Sequence, residues 1–205
     1  MSNLSHKRAG KYHHGDLRRA LVATAVDILE REGETALTLR RIARDTGVSQ
    51  AAPYAHFASK KDLLTAVCIE GTVRFGEYMK AQAAGKQGRD YLGGLAIGHI
   101  KFGLEHPAVF RLMSTRDIVE SLDPRGNVPE IFSEGYQLMV DGLTTAPLDH
   151  FGLTDRQLDI PIAWGQIYGL TNLLIEGRVT PEAYGFDDME AFIVALVNRF
   201  IQSVP

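Results

Sequence analysis

Residues 38–63, TLRRIARDTGVSQAAPYAHFASKKDL, bring together side chains suited to reading a nucleic acid. Gln50 carries an amide that can pair bidentately with adenine, Ala51 a methyl that can meet thymine, and Tyr54 a phenol that can hold a phosphate. Arg40, Arg41 and Arg44 precede them, and Lys60 and Lys61 follow. Leu39, Ile42 and Ala43 sit at helical spacing, and Thr38 stands where a hydroxyl satisfies the free N–H groups of a helix start. That helix ends at Gly47-Val48, where Gly47 can take the positive φ of a tight turn. Ser49 is expected to cap a second helix, Gln50 to Phe57, with Gln50, Ala51, Tyr54 and Ala55 outward. Pro53 then falls at the fourth helical position, where its missing N–H removes one ladder bond. Two short helices around a glycine turn make a helix-turn-helix, whose second helix commonly enters the DNA major groove.

Other elements must hold that motif in place. Asp16 is expected to open a first helix, with Leu17, Leu21, Ala25 and Ile28 at helical spacing and Gly33 at its end. Ile42, Val48 and Phe57 are the expected inner faces of a three-helix unit. Ser59 and Asp62 form a capping box launching a long helix to about Met79. Ala81 to Arg89 is small and polar and is expected to be a loop. Residues 1–14 are polar and basic; an arm following a phosphate backbone through Lys7, Arg8 and Lys11 and a solvated tail both fit. His6, His13 and His14 lack a carboxylate or cysteine at ligand spacing, so no metal site is expected.

The net charge of −3 says nothing for a polyanionic partner, but its distribution does. Residues 1–62 hold 11 Lys+Arg against 7 Asp+Glu, a balance of +4; residues 63–205 hold 11 against 18, a balance of −7. Such asymmetry points a basic segment at an anionic partner. A hydrophobic content of 45% is enough to bury a core. The single cysteine, Cys68, excludes an internal disulfide and fits a reducing compartment. With no signal-peptide core and no apolar run of spanning length, the expected location is cytoplasmic, away from membranes.

The pattern Gly47-Val48-Ser49, then Tyr54-x-His56-Phe57-x-x-Lys60-x-x-Leu63-Leu64, closely resembles the DNA-binding motif of the TetR family of bacterial transcriptional regulators. The resemblance implies an all-α fold: an N-terminal three-helix helix-turn-helix domain over residues 16–74, after an arm of residues 1–15, joined by a shared helix to a larger C-terminal ligand-binding and dimerisation domain over residues 75–205. It implies that Thr38 and Arg40 meet DNA from the second helix. Ser49, Gln50, Ala51, Ala52, Tyr54 and His56 would form the recognition surface, and Lys60 would grip a phosphate. Pro53 departs from the bulky apolar residue many members carry. The implied function is a homodimeric repressor on double-stranded operator DNA, released by an unknown small-molecule effector, with no cofactor.

Residues 90–106 carry Gly93, Gly94, Gly98 and Gly103 at helical positions, where each glycine costs up to about 1 kcal/mol relative to alanine. Close helix crossing and room for a ligand beside His99 and Phe102 are the two reasons weighed, with packing favoured. Phe110, Met113, Tyr136, Met139, Trp164 and Tyr168 can line an apolar cavity or serve as plain core. Ser114 to Val128 reads as a loop, and Pro129 to about Leu143 as a helix. Thr154 to Gln157 reads as a capping box, and Asp187 with Glu190 as the cap of the last helix. That helix carries Phe192, Leu196 and Phe200 in a regular apolar stripe, beside Ile167 and Leu174 in the helix before it. Such a pair can cover a monomer's core; in TetR-like proteins the last two long helices pair with their copies in a dimer, and Trp164-Gly165 to Gly169-Leu170 resembles one family subgroup. The competing readings are a small helical enzyme using His99, His106, Glu105 or Cys68, and an adaptor for protein contacts. No glycine-rich phosphate loop, serine elbow or paired metal motif supports the enzyme reading.

Overall fold

The computed structural model describes residues 14–122, 135, 137, 138, 140–142 and 156–203. The expectations for the amino-terminal arm, for Tyr136 and Met139, and for the capping box at Thr154 and Asp155 lie outside the described residues. The described elements are α1 (His14–Glu32), α2 (Leu39–Thr46), α3 (Lys60–Ala83), α4 (Gly88–Glu105), α5 (Pro107–Met113), α6 (Arg116–Leu122), α7 (Arg156–Ile175) and α8 (Met189–Ser203). Short 3-10 helices occupy Glu34–Ala36, Ala52–Ala55 and Glu182–Tyr184. The chain divides into two compact units, Met1–Val67 and Cys68–Pro205, with the division falling inside α3.

In the first unit α1 begins at His14, two residues before the expected start at Asp16, and buries Leu21, Ala25 and Ile28 completely. Ile42 and Ala43 of α2, then Phe57 and Leu63, are buried too, and Val48 is half-buried. The Thr46 hydroxyl bonds to that of Thr24 at 3.0 Å and ties α2 to α1. Ser59 and Asp62 form the expected reciprocal box: Ser59 N–H donates to Asp62 Oδ2 at 2.9 Å, and Asp62 N–H donates to Ser59 Oγ at 3.1 Å.

The second unit is built on α4, which packs against α7, α8 and α5. Three glycines of α4, Gly94, Gly98 and Gly103, serve close packing. A Cβ on Gly94 would stand 2.5 Å from the Gln82 carbonyl oxygen, and one on Gly98 2.5 Å from Met79 Cα. Real carbon atoms do not approach so closely, so these two glycines, one turn apart, let the backbones of α3 and α4 touch. Gly103 leaves room instead for a side chain of α7, since a Cβ there would meet Thr171 Cγ2 at 2.4 Å. Leu92, Ala96 and Ile100 of α4 then close a core with Ala163 and Ile167 of α7 and Phe192, Ile193 and Val197 of α8.

Three boundaries differ from expectation. The loop expected at Ala81–Arg89 shrinks, because α3 runs to Ala83, which is buried against Gly94. Residues Arg116–Leu122 form a helix instead of a loop, held by an Arg116–Glu120 ion pair one turn apart at 2.6 Å and by the buried Ile118. The last helix is capped by Asp188 rather than Asp187, its Oδ2 accepting from Ala191 N–H at 2.8 Å.

Gly98→Ala is expected to destabilise the protein by about 2–3 kcal/mol, the upper range for overpacking, because its neighbours are backbone atoms that cannot turn aside. Urea unfolding followed by circular dichroism measures it; an unchanged midpoint would contradict the backbone crossing.

Candidate nucleic-acid interface and ligand cavity

The turn at the centre of the first unit is set by Gly47, at φ 76° and ψ 28°. Its N–H reaches the Arg44 carbonyl at 3.1 Å and Val48 N–H reaches Ala43 at 2.9 Å, the paired bonds of a Schellman C-cap. At the other end of α2, Thr38 Oγ1 accepts from Arg41 N–H at 3.1 Å, as its position predicted. Capping thus uses one lone pair of the Thr38 hydroxyl and leaves its O–H able to donate.

The segment after the turn is tighter than expected. The helix expected over Gln50–Phe57 is a 3-10 helix over Ala52–Ala55, flanked by Ala51, and Ser49 makes no side-chain cap. The reason is Pro53. An α-helix starting at Ser49 would use the N–H of residue 53 to reach the Ser49 carbonyl, and proline has none. Ala52 N–H takes that carbonyl instead, at 3.0 Å, followed by Tyr54 to Ala51 at 3.2 Å and His56 to Pro53 at 3.0 Å. Pro53 itself is buried. Tyr54 is 53% exposed, and Ser49, Gln50, Ala51 and Ala55 are exposed beside it; Ala52 and His56 are half-buried.

The cations sort into two groups. Arg41 is bound on both sides: its guanidinium donates to both Glu32 carboxylate oxygens at 2.8 and 3.0 Å and also to Asp45. The hydrogen bond from Arg41 holds the Glu32 carboxyl below its usual range, and the bond to Glu32 raises Arg41 further above its own. Arg44 donates to Asp45 at 2.9 Å, and Arg18 lies over the Phe57 ring at 5.4 Å. Lys60 fastens the 3-10 turn at Glu34, with Nζ 2.6 Å from its carbonyl oxygen and 3.4 Å from its carboxylate. Arg40 and Lys61, by contrast, are exposed and have no ion pair among the described residues. Sequence reasoning missed Lys61 as a free charge and could not tell the bound Arg41 from the available Arg40.

In the second unit the side chains expected around a ligand separate. His99 lines a cavity of about 30 Å³ with Met79, Leu92, Leu95, Ala96, Ala163, Ile167 and Phe200. Phe102 and Phe110 are buried behind it, with Phe110 edge-on to His99 at 5.4 Å and stacked on Tyr168 at 5.5 Å. Met113 is half-buried against the Gly71 backbone. Trp164 is 44% exposed and is not among the described residues that line this cavity. The expected dimer contacts Ile167, Leu174, Phe192 and Phe200 are buried in the chain's own core, with Leu196 packed against it. Buried side chains offer a partner little surface, so Ile167, Leu174, Phe192 and Phe200 serve the chain's own core, while half-buried Leu196 keeps part of its surface free; the regular apolar stripe of α8 faces inward to α4. The faces turned outward are Ile162, Gly165, Gly169 and Leu173 on α7 and Val194 on α8. The sequence did hold a signal for them, since no charged residue occurs between 160 and 175.

The groups considered for catalysis are placed for structure. Cys68 is buried, and burial pushes its thiol up to about 11, far from a reactive thiolate. The Tyr78 hydroxyl donates to Glu105 and lies 3.3 Å from His106 Nε2, tying α3 to the end of α4.

Residues 21–67 match the family model of bacterial regulatory proteins, tetR family. Two proteins of Bacillus subtilis (strain 168) align along most of the chain. The uncharacterized HTH-type transcriptional regulator YerO is 22% identical over 91% of this chain and 65% of its own length. The fatty acid metabolism regulator protein is 24% identical over 89% and 90%. Among solved structures, a Rhodococcus sp. RHA1 protein of unknown function superposes with a TM-score of 0.73 at 27% identity, covering 95% of this chain and 98% of that one. FadR from Bacillus subtilis in complex with stearoyl-CoA superposes at 0.66 with 19% identity, covering 91% and 96%.

Burial lowers the His99 pKa from its ordinary 6.5 to about 3. The unfolded chain therefore takes up a proton as pH falls through 6.5 while the folded chain does not, and stability drops with falling pH over that window. The slope for one such group is at most about 1.4 kcal/mol per pH unit. His99→Leu is expected to flatten the decline of urea stability as pH is lowered below 6.5. Parallel curves for variant and wild type would contradict the neutral buried imidazole.

Proposed function

We propose that this chain, which belongs to the TetR family of bacterial regulatory proteins, is a one-component, homodimeric transcriptional repressor whose hold on operator DNA is relieved by a small molecule bound in its second unit. The observation that carries the reading is the exposed row of Gln50, Ala51 and Tyr54 along the turn and short 3-10 helix that follow Gly47, with Arg40, which has no ion pair among the described residues, on the preceding helix. In this reading Ser49, Gln50, Ala51, Ala52, Tyr54 and His56 form the recognition surface. Gln50 reads a base edge, and Tyr54 and Arg40 hold phosphates. Thr38 caps α2 and leaves its amino end open to a phosphate, and Lys60, anchored at Glu34, has a further N–H to offer one. No helix among the described residues is long and apolar enough to cross a membrane, and the proposed workplace is the cytoplasm.

One short recognition element binds weakly, so a dimer is part of the proposal. Two recognition helices would meet half-sites about one DNA turn, roughly 34 Å, apart. The outward face of α7 suits a copy of itself. A Cβ on Gly165 or Gly169 would meet nothing within 4 Å, so these glycines serve no packing within the chain. Exposed Ile162 and Leu173 flank them, at 51% and 37% exposure, on a face without charge. Depletion of charge beside exposed apolar residues marks interface cores. An effector that prefers a dimer with another spacing of the two recognition helices would then weaken DNA binding by its difference in affinity.

Retardation of DNA from upstream of the chain's own gene tests the DNA-binding half. Arg40→Ala should weaken all sequences alike and reduce the salt slope by about 1, whereas Gln50→Ala should lose about 1–3 kcal/mol of sequence preference. Failure to retard any such fragment at low salt would contradict the regulator reading. Gly169→Glu tests the dimer, because the added side chain has open space in the protomer but places a charge on the proposed interface. Light scattering should give twice 22.6 kDa for the wild type and 22.6 kDa for the variant. A variant that stays dimeric would move the interface elsewhere.

A further inference from the structure

The proposed recognition surface is shaped by a residue that lies beneath it. Pro53 is buried, so its ring has almost no surface to offer DNA, while Gln50, Ala51, Tyr54 and Ala55 around it are exposed. What it alters is the backbone. Three donors reach back only three residues: Ala52 to the Ser49 carbonyl at 3.0 Å, Tyr54 to Ala51 at 3.2 Å, and His56 to Pro53 at 3.0 Å. The α spacing returns with Phe57, whose N–H meets the Pro53 carbonyl at 2.9 Å. Ala51 and His56, at the two ends of the short helix, have ψ of −23° and −28°, which are 3-10 values.

Helix type decides where side chains point. A 3-10 helix turns by about 120° per residue and an α-helix by about 100°. Residues three apart therefore eclipse in the first and stand about 60° apart in the second. Ala51 and Tyr54 are such a pair. At a side-chain radius of about 5 Å, a 60° rotation carries a tip about 5 Å sideways, more than the roughly 3.4 Å between successive bases. Both flanks are fixed, by the Gly47 turn before the segment and by the buried Phe57 and the Ser59–Asp62 box after it. A change of helix type between them must emerge as a rotation of the outward side chains.

We infer that Pro53 is a specificity-determining residue that acts through the backbone: with no N–H for the Ser49 carbonyl, it keeps the segment in 3-10 geometry. That geometry sets the register between the phosphate held by Tyr54 and the base pairs met by Gln50 and Ala51. The inference rests on the proposed DNA-binding reading. A proline that only filled the core would leave the choice of bases untouched, which separates the two roles.

The test uses the full chain as wild type, Pro53→Ala and Pro53→Leu. Both variants restore an N–H at residue 53, and leucine also refills the space of the ring. Through-space proton contacts from Hα to N–H report helix type, two residues ahead for 3-10 and four ahead for α. The wild type should show the contact from Ala52 to Tyr54 and lack that from Gln50 to Tyr54; both variants should gain the latter. Selection from random DNA should then enrich different bases for the variants. Their preference for the wild-type site over unrelated DNA should fall about tenfold, the worth of one base contact. Binding to unrelated DNA should stay within about twofold, with the same salt slope, because Arg40, Lys60 and Lys61 are untouched. The inference is overturned if the wild type shows the α contacts, if the variants keep the 3-10 pattern, or if they turn α-helical and select the same bases. Should Pro53→Ala not fold, Pro53→Leu decides, and the wild-type contacts test the geometry by themselves. A wild type that enriches no sequence sinks the regulator reading and this inference with it; a wild-type site that the variants share sinks the inference alone.

Discussion

The second unit depends on the contact of two helix backbones at Gly94 and Gly98. With side chains there, α4 would stand off from α3 by the width of a methyl group or more, and the aromatic cluster of Phe75, Tyr78, Phe102 and Phe110 could not close around His99. Four glycines in one helix would otherwise weaken it by roughly 1 kcal/mol each. Here the close approach compensates, as Gly103 against Thr171 does on the side of α7. Helix α4 is thereby fixed on two sides, which leaves a polar ring, unusually, inside an apolar space.

The first unit solves a different problem, that of presenting a few side chains on an element too short to be stable by itself. Its solution is to anchor the flanks. Thr38 caps the preceding helix, Gly47 turns the chain, Phe57 is buried, and the Ser59–Asp62 box starts the next helix. Between these anchors the chain does not need a full α-helix, and Pro53 keeps it from forming one. The charges divide in the same way. Arg41 joins α2 to α1 through Glu32 and is held on its own helix by Asp45, so the positive charge left for a polyanion comes from exposed cations such as Arg40 and Lys61.

How much was legible in the sequence follows from which forces are local. Caps and turns depend on a few adjacent atoms, and Thr38, Gly47 and Ser59–Asp62 read correctly. The packing role of the α4 glycines also read correctly, because repeated glycine in a helix demands a close neighbour. What failed depended on partners far along the chain. The apolar stripe of α8 is regular whether it faces a copy or its own core, and only α4 decides that it faces inward. Trp164 looks like core by type, and its exposure follows from the side of α7 that α4 leaves uncovered. Beside His99 the cavity wall is made of ordinary Met, Leu, Ala, Ile and Phe residues, which carry no signal by themselves. Pro53 was read as removing one bond, whereas losing that bond changed the helix type.

The central claim is that paired recognition elements read a specific DNA sequence, and selection of bound fragments from random DNA by the full chain tests it most directly. The account predicts enrichment of an approximate palindrome, with half-site centres about one helical turn apart. Recovery of no enriched sequence, or of a single unpaired site, would contradict it.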